Sequence, residues 1–294
     1  MKNILSRIFL SKLKILLIFL LSFIFQTFLN SNENLIVTLT SWKGRINLIS
    51  KNLERLLNNT IKPKKLILNL AKEEFPRQNL ELPQEILKLL KNYKNFEIFW
   101  VEKNNNVFKK LIPTLNRFQN DLIITVDDDI LYPYNSIENM LKCYKKYGGN
   151  IPVSFGPKST DWNIKGKYIH SHYGAGSIVK YKYYNNKIDE LYKNTAEDRI
   201  NKGIKTQDDL LYTYAALLNG YMYKRCNNYF IKTNLNIPPH FSENNNKNYI
   251  KQFKQYHHII RDYIKNKYYT TIKDVIKKIE NSKLNSNLKI KRND

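Results

Sequence analysis

Residues Asp121 to Pro133 read Asp-Leu-Ile-Ile-Thr-Val-Asp-Asp-Asp-Ile-Leu-Tyr-Pro, an apolar run that stops at three consecutive carboxylates. The run from Leu122 to Val126 is short and rich in β-branched residues, which is typical of a central strand covered on both faces. A helix would need a longer segment. The stretch predicts a buried strand with an acidic site at its carboxyl end, where open α/β sheets bind ligands.

The acidic triplet predicts a cation site. Asp127, Asp128 and Asp129 repel one another, and a divalent cation that prefers oxygen ligands is the simplest partner that offsets this repulsion. On an extended backbone alternate side chains point the same way, so Asp127 and Asp129 can hold one ion while Asp128 faces elsewhere. The alternative is an acidic loop in which Asn135 or Ser136 caps the following helix.

Strand and helix signals alternate along the chain before this strand. The predicted strands are Leu35–Thr40, Lys65–Leu70, Phe96–Val101 and Leu122–Val126, and the predicted helices are Ile46–Leu57, Pro83–Leu90 and Lys109–Phe118. This alternation predicts βαβ units, and hence an α/β fold with a mainly parallel sheet flanked by helices.

Composition indicates a globular chain with an anionic partner. Of the 294 residues 42% are hydrophobic, enough for a sizeable core, and the net charge is +24. That charge suggests nucleic acid, a phospholipid surface or a phosphorylated small molecule, although it is spread along a chain also rich in Asn, Ile and Tyr. Cys143 and Cys226 have neither metal-ligand spacing nor the density of a disulfide scaffold, which favours a reducing compartment.

The two ends of the chain predict contact with a membrane. The basic residues Lys2, Arg7, Lys12 and Lys14 precede an apolar run, Ile15–Phe25, that is shorter than the ~20 residues needed to span a bilayer. A signal peptide, a short anchor and a monotopic helix all fit, and the lack of a small-residue cleavage site favours retention. We divide the chain into a membrane-associating segment (1–30), a main domain (31–245) and a basic helical tail (246–294), which either packs on the domain or lies on an anionic membrane.

Six ordered segments carry a resemblance to a known family. They are Thr40–Ile46, Lys62–Leu68, Glu74–Pro76, Leu82–Pro83, Phe108–Pro113 and Asp127–Pro133. Together they resemble bacterial glycosyltransferases with the nucleotide-diphospho-sugar transferase (GT-A) fold, a family commonly linked to capsular and other surface polysaccharides. The resemblance implies a Rossmann-like GT-A sheet and a metal-dependent enzyme. Its expected substrates are a nucleotide-sugar donor and a glycan or lipid-linked saccharide acceptor.

The resemblance also implies the ligands of the metal. In this family the aspartate motif holds Mn²⁺ or Mg²⁺ on the donor diphosphate, which assigns Asp127 and Asp129 to the metal and Asp128 to the donor ribose or sugar. A late histidine often adds a metal contact in this fold, and His240 is the best candidate. His170 and His172 would face the same side of a strand, but unpaired histidines are commonly structural.

Basic and hydroxyl residues near the same sheet end are candidates for donor binding. Arg45, Lys109 and Lys110 can contact the donor phosphates or the base and ribose, or else they are ordinary solvated charges. Thr40 and Ser41 can hydrogen-bond the nucleotide from the end of the first strand, although strand propensity explains such residues equally well.

Small residues before a later apolar strand are candidates for sugar contact. Gly174 and Gly176 would let the backbone approach a sugar closely, and the resembling family also has glycines here. A turn is the alternative. The pattern is not a dinucleotide fingerprint, because the third glycine and the helix are missing.

An acidic pair opens a predicted helix that ends at Gly220. Thr206 and Asp209 form a capping-box-like pair, which is the structural explanation. A carboxylate at a helix N-terminus also stays ionised, as a base must. Resembling inverting transferases use the second acidic residue as the base, which assigns this role to Asp209, with Asp208 next, and implies inversion at the anomeric carbon.

Two other classes of function remain as alternatives. A phosphoryl-transfer hydrolase with a strand-end aspartate nucleophile expects Gly or Thr directly after its acidic motif, whereas Ile130 follows here. A basic membrane or nucleic-acid binding protein would leave both acidic clusters without a purpose, and no nucleic-acid motif is present. We therefore expect a membrane-associated enzyme that binds no nucleic acid, with its catalytic domain in the cytoplasm, where bacterial donors are made.

Overall fold

A computed structural model describes residues 34–156, 162–164, 167–226 and 246–282. The N-terminal segment 1–30, His240 and the residues from 283 onward lie outside these ranges. The described residues from Leu35 onward form one compact unit. Within the described ranges, no helix is both long enough and apolar enough to cross a membrane.

A seven-stranded sheet forms the centre of this unit. In chain order the strands are β1 (Leu35–Thr40), β2 (Lys65–Ala71), β3 (Phe96–Val101), β4 (Leu122–Thr125), β5 (Val153–Ser154), β6 (Trp162–Ile164), β7 (Lys167–Ile169), β8 (Ser177–Val179) and β9 (Lys224–Arg225). The sheet order is β3-β2-β1-β4-β8-β5-β9, and β6 and β7 form a separate antiparallel pair.

The first four strands form the parallel part of the sheet. β1 pairs with β2 and β4, and β2 pairs with β3, all in parallel. β8 runs antiparallel to both β4 and β5, so the sheet is mixed beyond β4. The α/β class and the mainly parallel sheet are therefore confirmed, and the carboxyl ends of β1 and β4 lie side by side because Thr38 pairs with Thr125.

Helices and short 3₁₀ segments connect these strands. The helices are α1 (Ser50–Leu57), α2 (Gln84–Asn92), α3 (Ile112–Arg117), α4 (Ser136–Lys146), α5 (Lys187–Asn194), α6 (Ala196–Asn201), α7 (Asp208–Leu218), α8 (Asn246–Tyr268) and α9 (Ile272–Asn281). The predicted helix 46–57 is a 3₁₀ turn, Ile46–Leu48, followed by α1. The predicted helix 109–118 likewise divides into a 3₁₀ segment, Asn106–Lys110, and α3, which carries proline in its first turn, where proline is tolerated.

Each face of the sheet is covered by its own hydrophobic core. Val37 belongs to a cluster with residues of α1 and α4, whereas its neighbour Ile36 belongs to a cluster with residues of α7, α8 and α9. Consecutive strand residues point to opposite faces, so both faces must be covered for both residues to be buried. This explains why the central strands are continuous apolar runs.

The basic C-terminal helices share the second of these cores. Ile272, Ile276 and Ile279 of α9 are at most 5% exposed and pack in the same cluster as the residues of α7. The apolar face of this helix is therefore covered by the domain, as the packing alternative predicted. Its lysines face outward, and Lys273 and Lys277 are exposed.

Cys143 and Cys226 form a disulfide, with their Cα atoms 6.1 Å apart. This differs from the expectation of unpaired cysteines in a reducing compartment. The two cysteines lie 83 residues apart. The fold brings them together because Cys226 directly follows β9, whose partner β5 follows α4 in the chain. Such bonds are typical of oxidising compartments.

Candidate active site

A cleft of about 310 Å³ opens at the carboxyl ends of β1 and β4. Segments that are distant in the sequence meet there. Its lining residues are Thr40, Ser41, Trp42, Arg45, Asn106, Val107, Lys109, Lys110, Asp127, Asp128, Asp129, Tyr173, Gly174, Thr206, Asp208 and Asp209. The cleft thus contains both acidic clusters and all three predicted donor-binding cations.

The aspartate triplet lies in the turn after β4 rather than on the strand itself. β4 ends at Thr125, so the alternation of side chains that we expected does not extend through the triplet. Arg45 Nη1 contacts both Asp128 Oδ1, at 2.5 Å, and Asp129 Oδ2, at 3.3 Å. Asp127 pairs instead with Lys110, whose Nζ lies 2.6 Å from its Oδ1.

Asp128 anchors the residues that follow β1. Ser41 Oγ donates to Asp128 Oδ2 at 2.6 Å, and Arg45 binds the other oxygen. Burial raises the pKa of Asp128, while Arg45 and Ser41 act in the opposite direction. Asp128 is only 6% exposed, so contact with a donor ribose stays a prediction. Thr40 Oγ1 donates to the backbone oxygen of Asn69 and thereby joins β1 to β2.

The two lysines are buried and are not solvated surface charges. Lys109 is 3% exposed and pairs with Glu74 at 3.3 Å, and burial lowers its pKa. Lys110 is 5% exposed, and its Nζ lies between Asp127 and Asp208, at 2.6 and 3.7 Å. Burial opposes the charge of Lys110, but the surrounding aspartates hold its pKa above the ordinary value.

The acidic pair forms the first turn of α7, although not through the predicted capping box. The residue before α7 is Gln207, whose φ of 82° is left-handed, and no side chain caps the helix. The capping box between Thr206 and Asp209 is therefore wrong. Left-handed backbone in a residue other than glycine costs on the order of 1 kcal/mol and often marks functional sites. Here it directly precedes the acidic pair.

The two carboxylates of the pair differ in exposure. The Asp208 side chain is 10% exposed and faces Lys110, whereas the Asp209 side chain is 32% exposed. Burial raises the pKa of each to about 7, with Lys110 acting in the opposite direction. Both groups therefore exchange protons near neutral pH, which suits acid–base chemistry.

His172 contacts Asp209 in a way that sequence reasoning missed. Its ring is fully buried, and its Nδ1 lies 2.9 Å from Asp209 Oδ1. The backbone N–H of Gly174 also donates to Asp209. The sequence contained only a weak indication of this contact, because a histidine two residues before a glycine turn is common. His170 bonds a different residue, Ser154, through Nε2 at 2.7 Å.

The two glycines have different surroundings. A Cβ on Gly174 would lie 2.5 Å from Lys110 Nζ and 2.9 Å from Asp127 Oδ1, so only glycine leaves room for that ion pair. A Cβ on Gly176 would meet Met140 Cε at 2.8 Å, and Gly176 does not line the cleft. Gly176 therefore packs closely against the core, and its predicted substrate contact stays a prediction.

The exposed members of the triplet fit a hard cation. The side chains of Asp127 and Asp129 are 30% and 43% exposed in the cleft. Burial, and then the charges of Asp127 and Asp128, raise the pKa of Asp129 to about 6. No three His, Cys, Asp or Glu side chains within the described ranges are placed around one metal. A site of two carboxylates suits Mg²⁺, which keeps several waters. His240 lies outside these ranges.

Comparison with known proteins supports the fold. No protein-family model and no curated protein matches this sequence. S. aureus TarS is similar, with a TM-score of 0.50 and 11% identity over 88% of this chain and 44% of TarS. This likeness shows the fold, and it confirms the predicted GT-A fold class.

Two further solved structures are similar at lower scores. One is mannosyltransferase PcManGT from Pyrobaculum calidifontis in complex with GDP-Man and Mn²⁺, with a TM-score of 0.44 and 13% identity over 67% of this chain and 56% of that protein. The other is a 4-diphosphocytidyl-2C-methyl-D-erythritol synthase from Anaerococcus prevotii, with a TM-score of 0.46 and 12% identity over 69% and 92%.

Proposed function

We propose that this chain is a metal-dependent, inverting glycosyltransferase that moves a sugar from a nucleotide-diphosphate donor to a hydroxyl of a glycan or lipid-linked saccharide. One observation carries the proposal. The cleft at the carboxyl ends of β1 and β4 holds an acidic triplet on one side and an ionisable acidic pair on the other, and the Lys110 ammonium lies between Asp127 and Asp208.

The triplet side of the cleft suits the donor diphosphate. Asp127 and Asp129 would hold Mn²⁺ or Mg²⁺, which when bound neutralises charge on the leaving nucleoside diphosphate. Lys110 and Arg45 are fixed by Asp127 and Asp128, so their positive charges are in place before a donor binds. Charges that are ordered in advance stabilise a developing anion without reorganisation.

The pair side of the cleft suits the acceptor. Asp209 is the more exposed of the two carboxylates, and its pKa of about 7 lies where a base works well at neutral pH. Asp209 accepts the proton of the acceptor hydroxyl. The oxygen then bonds to the anomeric carbon as the bond from that carbon to the phosphate oxygen breaks, and the electron pair leaves with the nucleoside diphosphate. Attack from the face opposite to the leaving group inverts the configuration.

The test begins with donor binding. The purified full chain is heated with UDP-, GDP-, CMP- and TDP-linked ligands, with and without Mn²⁺. A ligand at one hundred times its Kd stabilises the folded state by about 2.7 kcal/mol, which is readily measured as a higher melting temperature. We expect one nucleotide to act only with Mn²⁺, and Asp127→Ala/Asp129→Ala to lose this effect. No response to any nucleotide would reject the proposal.

Asp209→Asn tests the assignment of the base. The amide cannot accept the hydroxyl proton, so transfer should slow by about 10²- to 10⁴-fold. Donor binding should be unchanged, because Asp209 is assigned to the acceptor side. Asp208→Asn is the matched control, with a smaller loss expected. If Asp208→Asn is the slower enzyme, the two roles are exchanged.

We also propose that the chain acts at a membrane surface. Support comes from the apolar segment 15–25, the net charge of +24 and the exposed lysines of α8 and α9, which attract anionic lipid. Flotation with vesicles of phosphatidylserine, compared with phosphatidylcholine alone, measures this. The predicted cytoplasmic placement remains a prediction, and the Cys143–Cys226 disulfide weighs against it.

A further inference from the structure

His172 is a buried histidine to which the proposed chemistry gives no task. It is 0% exposed and lies against two tyrosine rings, with centroids 4.8 Å from that of Tyr212 and 5.6 Å from that of Tyr223. Burial lowers its pKa to about 3, so the imidazole is neutral at neutral pH. A neutral imidazole has one N–H donor and one acceptor nitrogen.

The surroundings of the ring assign its tautomer. Nδ1 lies 2.9 Å from Asp209 Oδ1, and a carboxylate that is ionised, as a base must be, only accepts hydrogen bonds, so Nδ1 carries the proton whenever Asp209 is ionised. Nε2 is then the acceptor, and it faces the hydroxyl of Thr125 at 3.4 Å. Thr125 is the last residue of β4, the strand that leads to the aspartate triplet.

The backbone around His172 is braced against α7. The backbone N–H of His172 donates to Thr213 Oγ1 at 2.8 Å, and Thr213 Oγ1 donates to the backbone oxygen of Asp209 at 2.7 Å. The N–H of Gly174 adds a bond to the carboxylate of Asp209. The loop therefore holds Asp209 by its backbone and its side chain together.

We propose that His172 is a positioning residue for Asp209, which fixes the carboxylate so that its remaining lone pairs face the acceptor side of the cleft. Two donors, His172 Nδ1 and Gly174 N–H, stop rotation of the carboxylate and leave the other acceptor positions for the substrate hydroxyl. The same ring also contacts Thr125, and so it connects the base to the end of β4 on the donor side of the cleft. The inference rests on the proposed function, since it takes Asp209 as the base.

The groups around Asp209 determine its pKa. The titratable and charged groups around it are His172, Lys110, Asp127, Asp208 and Tyr173, together with the buried tyrosines Tyr184, Tyr212 and Tyr223. A hydrogen bond to the ionised carboxylate favours ionisation, so loss of the Nδ1 donor should raise the pKa of Asp209. A residue with a merely structural role would change stability and leave this pKa unchanged.

Two variants separate these roles. In His172→Asn the side-chain amide offers an N–H close to the position of Nδ1. His172→Phe keeps the ring against the tyrosines but has no donor. With the nucleotide sugar identified by thermal shift, we would measure nucleoside diphosphate release against pH. We expect His172→Phe to lower kcat about 10- to 100-fold, by analogy with the loss of other orienting partners. The acidic limb of its profile of rate against pH should move to higher pH by about one unit, and its KM for the donor should be unchanged.

His172→Asn should restore the pH profile and most of kcat. If both variants share the wild-type profile, or if both lose kcat equally with no shift, the positioning role is rejected. Urea unfolding of both variants accompanies the kinetics, because loss of packing lowers stability in either case.

A measurement without catalysis keeps the two proposals separable. The ¹⁵N spectrum of histidine-labelled full chain should show His172 neutral, with its proton on Nδ1, at pH 8, where Asp209 is ionised, and the Nδ1 proton signal should shift in Asp209→Asn. A proton on Nε2, or a charged ring, would overturn the inference. If no nucleotide sugar binds while the Nδ1 tautomer is found, the proposed function fails and the His172–Asp209 pairing stands.

Discussion

The charge balance of the cleft is decided by single residues. Lys110 is the charged side chain that contacts both acidic clusters, through Asp127 and Asp208. Arg45 is shared between Asp128 and Asp129, and the pKa of Asp129 nevertheless reaches about 6. These aspartates therefore outnumber the cations that contact them, which is the electrostatic support for the proposed divalent ion.

Gly174→Ala tests how closely the backbone must approach this ion pair. The new Cβ would lie 2.5 Å from Lys110 Nζ, and the flexible lysine would have to move away from Asp127. We expect nucleotide release to slow by about 10- to 100-fold, because small displacements of charged groups are costly in catalysis. Stability to urea should change little, since the end of a long side chain can shift.

Gly203→Ala is the matched control for this substitution. Gly203 has a φ of +65°, and no atom lies within 4 Å of the position that a Cβ would take there. The cost is therefore backbone strain of about 1 kcal/mol, away from the cleft. It should lower stability and leave the rate unchanged. Equal rates for Gly174→Ala and the wild type would show that Lys110 can move without consequence.

The acidic pair predicts an unusual dependence of stability on pH. Asp208 and Asp209 each have a pKa of about 7 in the folded chain, whereas the ordinary pKa of an aspartate is 3.8. Burial is the largest cause of this increase. The folded state then binds more protons than the unfolded state between these values, so this contribution to stability falls as pH rises from 3.8 to about 7.

Urea unfolding in EDTA at pH 5 and pH 8 measures this dependence. Asp208→Asn removes one titrating group, so its midpoint should fall less than that of the wild type between the two pH values. The same fall in both proteins would mean that the pair does not titrate in this range.

At the level of elements, local sequence signals worked best for the strands of the parallel sheet. The predicted strands Leu35–Thr40 and Phe96–Val101 have the observed bounds, because apolar runs bounded by polar residues are local features. The start of α7 was misread, because a left-handed Gln207 replaces the capping box expected from Thr206 and Asp209. A true capping box instead begins α9, between Thr271 and Asp274.

Thr271→Ala tests that cap. The hydroxyl accepts a hydrogen bond from the backbone N–H of Asp274, and its loss leaves a helix donor unsatisfied. We expect a loss of about 1 kcal/mol in the free energy of unfolding, measured by urea denaturation. Thr271→Ser keeps the hydroxyl and should remain near the wild type. Similar losses in both variants would instead point to the threonine methyl group.

At the level of the whole molecule, the disulfide links two distant parts of the fold. It joins Cys143 in α4 to Cys226 after β9 and closes a loop across a separation of 83 residues. A bond across so long a loop restricts the unfolded chain strongly. In the loop-entropy picture it stabilises the fold by about 4.5 kcal/mol.

Reduction should therefore lower the urea midpoint of the wild type. The variant Cys143→Ser/Cys226→Ser should be less stable and insensitive to the reductant. The direct check of the disulfide is thiol labelling of protein that has not been reduced, in its native and in its denatured state. Two reactive thiols in protein isolated from cells without reductant would contradict the bond and favour the cytoplasmic placement.

The sequence by itself determined the fold class, the order of the first four strands and helices, and the two acidic clusters. These depend on local hydrophobic runs and on charges that adjoin them. The resemblance carried by residues 40–133 added Arg45, Lys109 and Lys110 as candidates for donor binding, and all three line the cleft.

Only the tertiary structure decided which side chains meet. His172 contacts Asp209 across 37 residues, and Cys143 contacts Cys226 across 83. Neither pair has a local signal, because sheet order and helix packing set these distances. The same reason separates Gly174, which faces the Lys110–Asp127 pair, from Gly176, which packs against Met140. Two glycines in one motif differ because the chain between them turns from the cleft into the core.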